Sequence, residues 1–243
     1  MQEAAHFSRN YLTVPPAIEP ISERDFGRFR DVIERHAGIH LGASRKALLV
    51  GRLMRRLRAL GLSGFDQYLE IVLENTAEFV EMLDCVCTNE TRFFREPKQF
   101  ELFESTILPA WRNERAQGAR AGRTRIWSAG CSTGEEPFTI AMMLAAHLPA
   151  SEGWSHQIIA TDISCRVLRQ AQAATWDLGR ASAIPASYLR RFMSKGTAAN
   201  DGKMRAADEL RTLIRFDRVN LKTVDYSAIG RFDAIFCRNV LIY

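Results

Sequence analysis

The 243-residue sequence contains no run of eighteen uncharged apolar residues, so no segment reads as a membrane-spanning helix and no direct membrane insertion is expected. Its first thirty residues, MQEAAHFSRNYLTVPPAIEPISERDFGRFR, lack the apolar core and small-residue cleavage site of a secretory signal. Cysteine is sparse and unpatterned. Cys85, Cys87, Cys131, Cys165 and Cys237 are odd in number, form no C-x-x-C pair, and do not sit near a histidine at metal-ligand spacing, which excludes a disulfide scaffold and a zinc site. They read as reduced core thiols in a cytoplasmic protein, with no metal. Internal repeats and low-complexity tracts are also missing. What is present is ordinary: 47% apolar and 25% charged residues, 15 glycines and 8 prolines, enough for one large core or two modest ones. The net charge of +5 is too mild to imply nucleic acid, so the distribution of charge says more than its sum.

The opening stretch to about Pro20 carries two adjacent prolines and no apolar periodicity, and reads as a mobile arm. Ser22 stands three residues before Asp25, a capping-box spacing, and Phe26, Phe29, Val32 and Ile33 then share one helix face, with a stop at His36-Ala-Gly38. The next segment, SRKALLVGRLMRRLRALG, places Leu48, Leu49, Leu53, Leu57 and Leu60 at helical spacing among six basic residues and no acid, predicting a basic amphipathic helix that ends near Gly61. From Phe65 to Cys87 the sign reverses: Asp66, Glu70, Glu74, Glu78, Glu81 and Asp84 occur without a Lys or Arg. Such blocks imply electrostatic contact between helices, or a basic face left for an acidic partner. The alternative is a solvated face. No aromatic interleaving, RNP-like strand or zinc pattern supports nucleic acid, and no Trp or Phe edges the apolar face as a membrane surface would require.

After about residue 115 short β-like runs alternate with helical ones: RIWSAG to Gly130, a helix from Glu135 to Leu148, QIIATDIS with its strand ending at Asp162, a helix from Ser164, then the strand candidates LIRFDRVNL and FDAIFCRN. This alternation predicts an α/β fold with a mainly parallel sheet and helices on both faces. Ligands bind such sheets beyond the carboxyl ends of the strands. Three candidates fall there. In AGCSTGEEP (129–137), Gly130 and Gly134 permit a tight turn and close approach of a ligand, while Glu135 and Glu136 at the helix start repel phosphate, so the ligand is expected to be cationic or neutral. Asp162 is placed to accept from both hydroxyls of a ribose, or merely to cap the helix behind it. The third is the pair of strand ends at Asn220-Leu221 and Cys237-Arg238-Asn239. Together they describe a nucleoside site without phosphate recognition, as S-adenosylmethionine requires. Gly130-Cys-Ser132-Thr-Gly134 also matches G-x-S-x-G, but a serine hydrolase needs a later histidine and none follows Asp162.

The stretches TNETRFFREPKQFE (88–101), WSAGCSTGEEPF (127–138), ATDIS (160–164) and FCRNVLIY (236–243) resemble the chemotaxis receptor methyltransferases, the CheR family, from about Ile21 to the last residue. The resemblance implies an S-adenosylmethionine-dependent protein-glutamate O-methyltransferase, yielding S-adenosylhomocysteine, of the Rossmann-like class I methyltransferase fold. It divides the chain into a flexible arm (1–20), an all-α receptor-docking domain (21–87), a linker and helix (88–122) and a catalytic domain (123–243) with an inserted small β-subdomain at about 175–213. It carries the cofactor site onto Asn89, Thr91, Arg95, Glu135, Asp162, Asn220, Leu221, Arg238 and Asn239, and places Arg95 and Tyr243 near the transferred methyl and the substrate carboxylate. Arg95 would orient carboxylates, its alternative being a structural ion pair. Arg45, Arg52, Arg55, Arg56 and Arg58 match the family's docking surface for the cytoplasmic helical region of methyl-accepting receptors, which implies recruitment to membrane receptor arrays. In some members the insertion resembles a tether for a receptor's carboxyl-terminal peptide. A monomer is the default. Members continue for some tens of residues past FCRNVLIY, so the resemblance also implies a sheet incomplete at its carboxyl end, with a catalytically weak receptor-binding or cofactor-binding module as the alternative reading.

Overall fold

The computed structural model describes residues 17–240; most of the opening arm, and Tyr243, lie outside the described residues. The chain divides into two compact units, one running to Val32 and resuming over Leu41–Val86, the other comprising Ile33–His40 and the chain from Cys87 onward.

The first unit is helical: α1 (Glu23–Ala37, its last turn belonging to the second unit), α2 (Lys46–Leu60), α3 (Phe65–Glu74) and α4 (Thr76–Val86). The Ser22 hydroxyl caps α1, accepting from the Asp25 amide at 3.0 Å and donating to the Asp25 carboxylate at 2.5 Å. Phe26 and Phe29 are buried, as are Leu49, Leu53 and Leu57, and Phe29 stacks on Tyr68 at 6.1 Å. The apolar stripe of α2 is narrower than its leucines predict, because Leu48 and Leu60 are 45% and 38% exposed. Spacing at i, i+4 and i+8 selects the three inward leucines. Gly61 ends α2, its amide donating to the Arg58 carbonyl at 3.2 Å. The acidic stretch is two helices rather than one. Asn75 breaks it by accepting at its Oδ1 the amides of Ala77 and Glu78 at 2.9 and 3.2 Å, an N-cap for α4.

The second unit opens with α5 (Pro97–Leu102), a π-helical turn (Phe103–Ile107) and α6 (Leu108–Ala116). The strands β1 (Arg123–Ala129), β2 (Ser155–Asp162), β6 (Ile214–Arg218) and β7 (Ala234–Phe236) form a parallel sheet in the order β6-β2-β1-β7. Between β1 and β2 runs α7 (Glu135–His147), buried through most of its first three turns, and α8 (Cys165–Ala173) follows β2 under a Ser164 cap at 3.3 Å. The insertion comprises β3 (Thr175–Asp177), α9 (Ala186–Phe192), β4 (Met193–Lys195), β5 (Lys203–Ala206) and α10 (Asp208–Arg211), its strands antiparallel in the order β3-β5-β4. The short α11 (Tyr226–Ile229) precedes β7.

Alternation along the strands splits the core. Ile126, Ile158, Ala160 and Ile214 join the large cluster with α7, whereas Trp127, Ala129 and Ile159 face a smaller one with Leu221, Ile229, Phe232 and Cys237. The strand candidates overran their strands: β6 stops at Arg218 and β7 at Phe236, so Asn220-Leu221 and Cys237-Arg238-Asn239 lie in the loops beyond. Register decides this, for β7 pairs only with Ile126–Ser128. Of the cysteines only Cys131 is fully buried, the other four being partly exposed, which corrects their reading as core thiols. None of the helices among the described residues is long and apolar enough to cross a membrane.

Candidate functional site

The sheet's strand order reverses beside β1: the chain steps outward through β2 and β6, then returns to place β7 on the opposite side. Open α/β sheets bind ligands at this switch point. Here β1 leaves the sheet through Gly130 and Cys131, whose amides both donate to the Thr161 carbonyl at 2.8 Å. Gly130 (φ 78) and Gly134 (φ 94) adopt left-handed backbone, and a Cβ on the first would strike Val240 while one on the second would press Ala171 at 3.0 Å. At these positions the glycines make room for neighbouring parts of the chain.

Asp162 fixes this turn. Its carboxylate accepts the Ser132 amide at 2.8 Å and the Ser164 amide at 3.0 Å, so it does brace the start of α8. The Ser132 hydroxyl donates to the Asn89 carbonyl at 3.1 Å, which brings the TNETRFFR segment to the turn. Asn89 Nδ2 is buried there with no hydrogen-bond partner.

The two carboxylates at the start of α7 diverge. Glu135 is wholly buried, accepting the Thr133 hydroxyl at 2.6 Å and forming an ion pair with Arg180. Trp176 Nε1 donates to the Thr133 carbonyl at 3.0 Å, so the insertion is fastened to the turn at two points. Glu136 accepts the Ser128 hydroxyl at 2.7 Å and pairs with Arg238 at 3.3 Å. Burial pushes the Glu136 carboxyl above its ordinary range, while the Ser128 hydroxyl, Arg238 and Arg95 pull the other way. The negative charge that the sequence assigned to a cationic ligand is thus met by arginines of this chain. Arg180 and Trp176 were not singled out in the sequence; a tryptophan and an arginine in a polar insertion were the available signals.

Arg95 sits between two non-glycine residues in left-handed backbone, Phe94 (φ 50) and Glu96 (φ 57), a conformation that persists only when its surroundings hold it. Its guanidinium donates to the Glu90 carbonyl at 2.7 Å, and its own carbonyl accepts from Arg238. The Arg238 guanidinium also lies over the Phe100 ring at 4.6 Å, and its Nε is buried without a partner. Burial lowers its pKa against the raising influence of Glu136. Asn239 has φ 53. Thr91 is half-buried in the same segment. Asn220 donates to the His36 carbonyl at 2.6 Å and accepts the Lys222 amide at 3.0 Å, and Leu221 packs against the Trp127 cluster. In the helical unit, Arg56 grips Glu78 at 2.6 and 2.5 Å and Arg52 donates to the Val86 carbonyl. Arg45 is half-buried, Arg55 lies 3.9 Å from the Cys85 sulfur, and Arg55 and Arg58 are exposed.

Residues 89–243 match the family model described as "CheR methyltransferase, SAM binding domain", and residues 24–87 match "CheR methyltransferase, all-alpha domain". The chain belongs to the CheR methyltransferase family. It is 38% identical over 226 residues to the chemotaxis protein methyltransferase of Salmonella typhimurium, spanning 92% of this chain and 74% of that protein. It is 39% identical over 222 residues to chemotaxis protein methyltransferase 2 of Pseudomonas aeruginosa (91% and 76%), and 36% identical over 226 residues to the chemotaxis protein methyltransferase of Escherichia coli (92% and 75%). The CheR assignment agrees with the polar groups at the turn. S-adenosylmethionine carries a carboxylate and a ribose diol. The orphaned Asn89 Nδ2 and Arg238 Nε suit the first and the Asp162 carboxylate suits the second.

Proposed function

We propose that the chain transfers the methyl group of S-adenosylmethionine to side-chain carboxylates of glutamates in the cytoplasmic helical region of methyl-accepting chemotaxis receptors, giving glutamate methyl ester and S-adenosylhomocysteine. The observation that carries this reading is the hydrogen bond from Arg238 to the Arg95 carbonyl, which joins the TNETRFFR segment to the loop after β7 at the switch point. Arg95 and Arg238 both act on the charge of Glu136 at the start of α7.

A glutamate with an ordinary pKa of about 4.3 is already ionised at neutral pH and needs no general base. When bound, S-adenosylmethionine supplies an electrophilic methyl on a sulfonium, and the carbon–sulfur electron pair leaves with sulfur as a neutral thioether. The chain's own residues have to align and desolvate the acceptor oxygen, and such alignment can account for about 7–11 kcal/mol of a barrier. Arg95 holds the acceptor carboxylate by a charge-assisted hydrogen bond, and Tyr243 positions the reacting oxygen or methyl. Asn89, Thr91, Asp162, Leu221, Arg238 and Asn239 hold the cofactor. Docking charge falls chiefly on Arg55 and Arg58, since Arg52 and Arg56 are already tied within the helical unit. The enzyme acts in the cytoplasm at membrane receptor arrays.

Calorimetric titration of S-adenosylhomocysteine, with Asp162→Ala and Asp162→Asn as controls, tests the pocket, and base-labile methyl label on receptor cytoplasmic fragments tests the transfer. Binding by the parent and its weakening in both controls are expected, together with labelled fragments. A chain that binds the cofactor product and labels no fragment would overturn the reading.

A further inference from the structure

We propose that Glu136 is a positioning residue for methyl transfer, its carboxylate bracing Arg238 so that Arg238 holds the Arg95 loop in place. The inference rests on the role given to Arg95 above and extends it to Glu136 and Ser128, to which no part of the acceptor or cofactor site has been assigned. The brace has four members. Ser128, wholly buried on β1, donates to Glu136 Oε1 at 2.7 Å, and Glu136 Oε2 meets Arg238 Nη1 at 3.3 Å. Arg238 Nη2 donates in turn to the carbonyl of Arg95. One carboxylate thereby links β1 to the loop after β7, the two strands that flank the switch point.

The Arg95 loop needs such a hold. Phe94 and Glu96 both occupy left-handed backbone that L side chains rarely adopt. Hydrogen bonds fasten the loop at two points, from the Phe94 amide to the Thr139 hydroxyl at 3.2 Å and from Arg238 to the Arg95 carbonyl. The second depends on keeping a guanidinium that is only 11% exposed in place over the Phe100 ring. Arg238 cannot shed its charge, so an uncompensated Arg238 would turn toward water. Glu136 is its counter-ion. The groups that face Glu136 are Ser128, Arg238, Arg95 and the thiols of Cys131 and Cys237; the Ser128 hydroxyl favours the ionised carboxylate most, followed by Arg238 and then Arg95. Protonation of Glu136 therefore releases the brace, and burial brings that protonation to a higher pH than an exposed glutamate would show.

Glu136→Gln keeps the shape and the Ser128 contact but removes the charge, whereas Ser128→Ala keeps the charge but loosens the carboxylate. Both are assayed as the full chain on receptor fragments, with kcat/KM followed from pH 5 to 8, thermal melts, and titration of S-adenosylhomocysteine. Glu136→Gln is expected to lower kcat/KM by about 10- to 100-fold, the loss of a hydrogen bond to a charged group, while still binding S-adenosylhomocysteine. Its pH profile should lose the acid limb that burial of Glu136 is expected to move upward in the parent. Ser128→Ala should lose less, about tenfold or below, and its acid limb should shift rather than vanish, which keeps the test open if the glutamine variant melts. A glutamine variant with parental kcat/KM and a parental acid limb would overturn the proposal, as would a loss of S-adenosylhomocysteine binding as large as the loss of kcat/KM, since the brace acts on the Arg95 loop beyond any slackening of Arg238's hold on the cofactor. A parent that binds S-adenosylhomocysteine but methylates no fragment would defeat the function proposed above, and this brace with it.

Discussion

Glu78, buried in the helical unit, and Glu136, partly buried beside the sheet, are both paired with arginine, yet they behave in opposite ways. Glu78 receives two hydrogen bonds from Arg56 and one from the Tyr68 hydroxyl at 2.9 Å, and these hold its carboxyl below the ordinary range despite burial. The Tyr68 hydroxyl is held protonated by the same arrangement, its pKa raised by burial and by Glu78. Glu136 has one hydroxyl and one longer arginine contact, and burial raises its carboxyl. Its arginine keeps a buried nitrogen without a partner, and Asn89 keeps another. A fully paired buried charge fixes a fold; an incompletely paired one leaves capacity for something that arrives later.

The sharpest way to break this contrast is to remove one arginine from each region. Arg56→Ala leaves Glu78 buried with only a phenol, and should lower unfolding free energy by about 3 kcal/mol in urea titrations without loss of S-adenosylhomocysteine binding. Arg95→Ala tests the other region: turnover should fall about hundredfold while the melting temperature stays close to the parent's, and near-parental turnover would remove Arg95 from the chemistry. The smallest effect is one of sign. Glu78, with its folded pKa depressed, contributes stability that is present above the unfolded pKa and is lost as pH falls through the folded one. Glu136, with its folded pKa raised, costs nothing below the unfolded pKa and becomes a burden as pH rises through the folded one. Stability differences between the parent and Glu78→Gln should therefore shrink on acidification from neutrality, whereas those between the parent and Glu136→Gln should shift in the parent's favour.

What could be read from the sequence was what is local. The Ser22 cap, the stop at Gly61, the start of α7 and the strand ending at Asp162 depend on residues a few positions apart. The break at Asn75 went unread because the acidic, amphipathic pattern continues on both sides of it. Strands β6 and β7 were drawn too long because their ends are set by register with β2 and β1, not by their own composition. In the site, Asp162 and the glycine turn were legible, but the partners of Glu135 and Glu136 were not. Arg180 and Arg238 reach them from 45 and 102 residues away, and no periodicity encodes a contact of that span. Asn220 illustrates the converse: its position beyond a strand end was apparent, but its engagement by the His36 carbonyl was not.

The attachment of the insertion at Trp176 and Arg180 has a consequence for how this chain can drift over generations. One end of the inserted cassette is yoked to the Thr133 carbonyl and the Glu135 carboxylate, so a change at either position disturbs the turn that begins α7. The exposed Ala198–Asn200 turn has no such tie to that turn. Mutations should therefore accumulate unevenly within one small sheet, sparing its entry strand and rewriting its far edge, where a lineage could exchange one surface for another without reopening the crevice beneath.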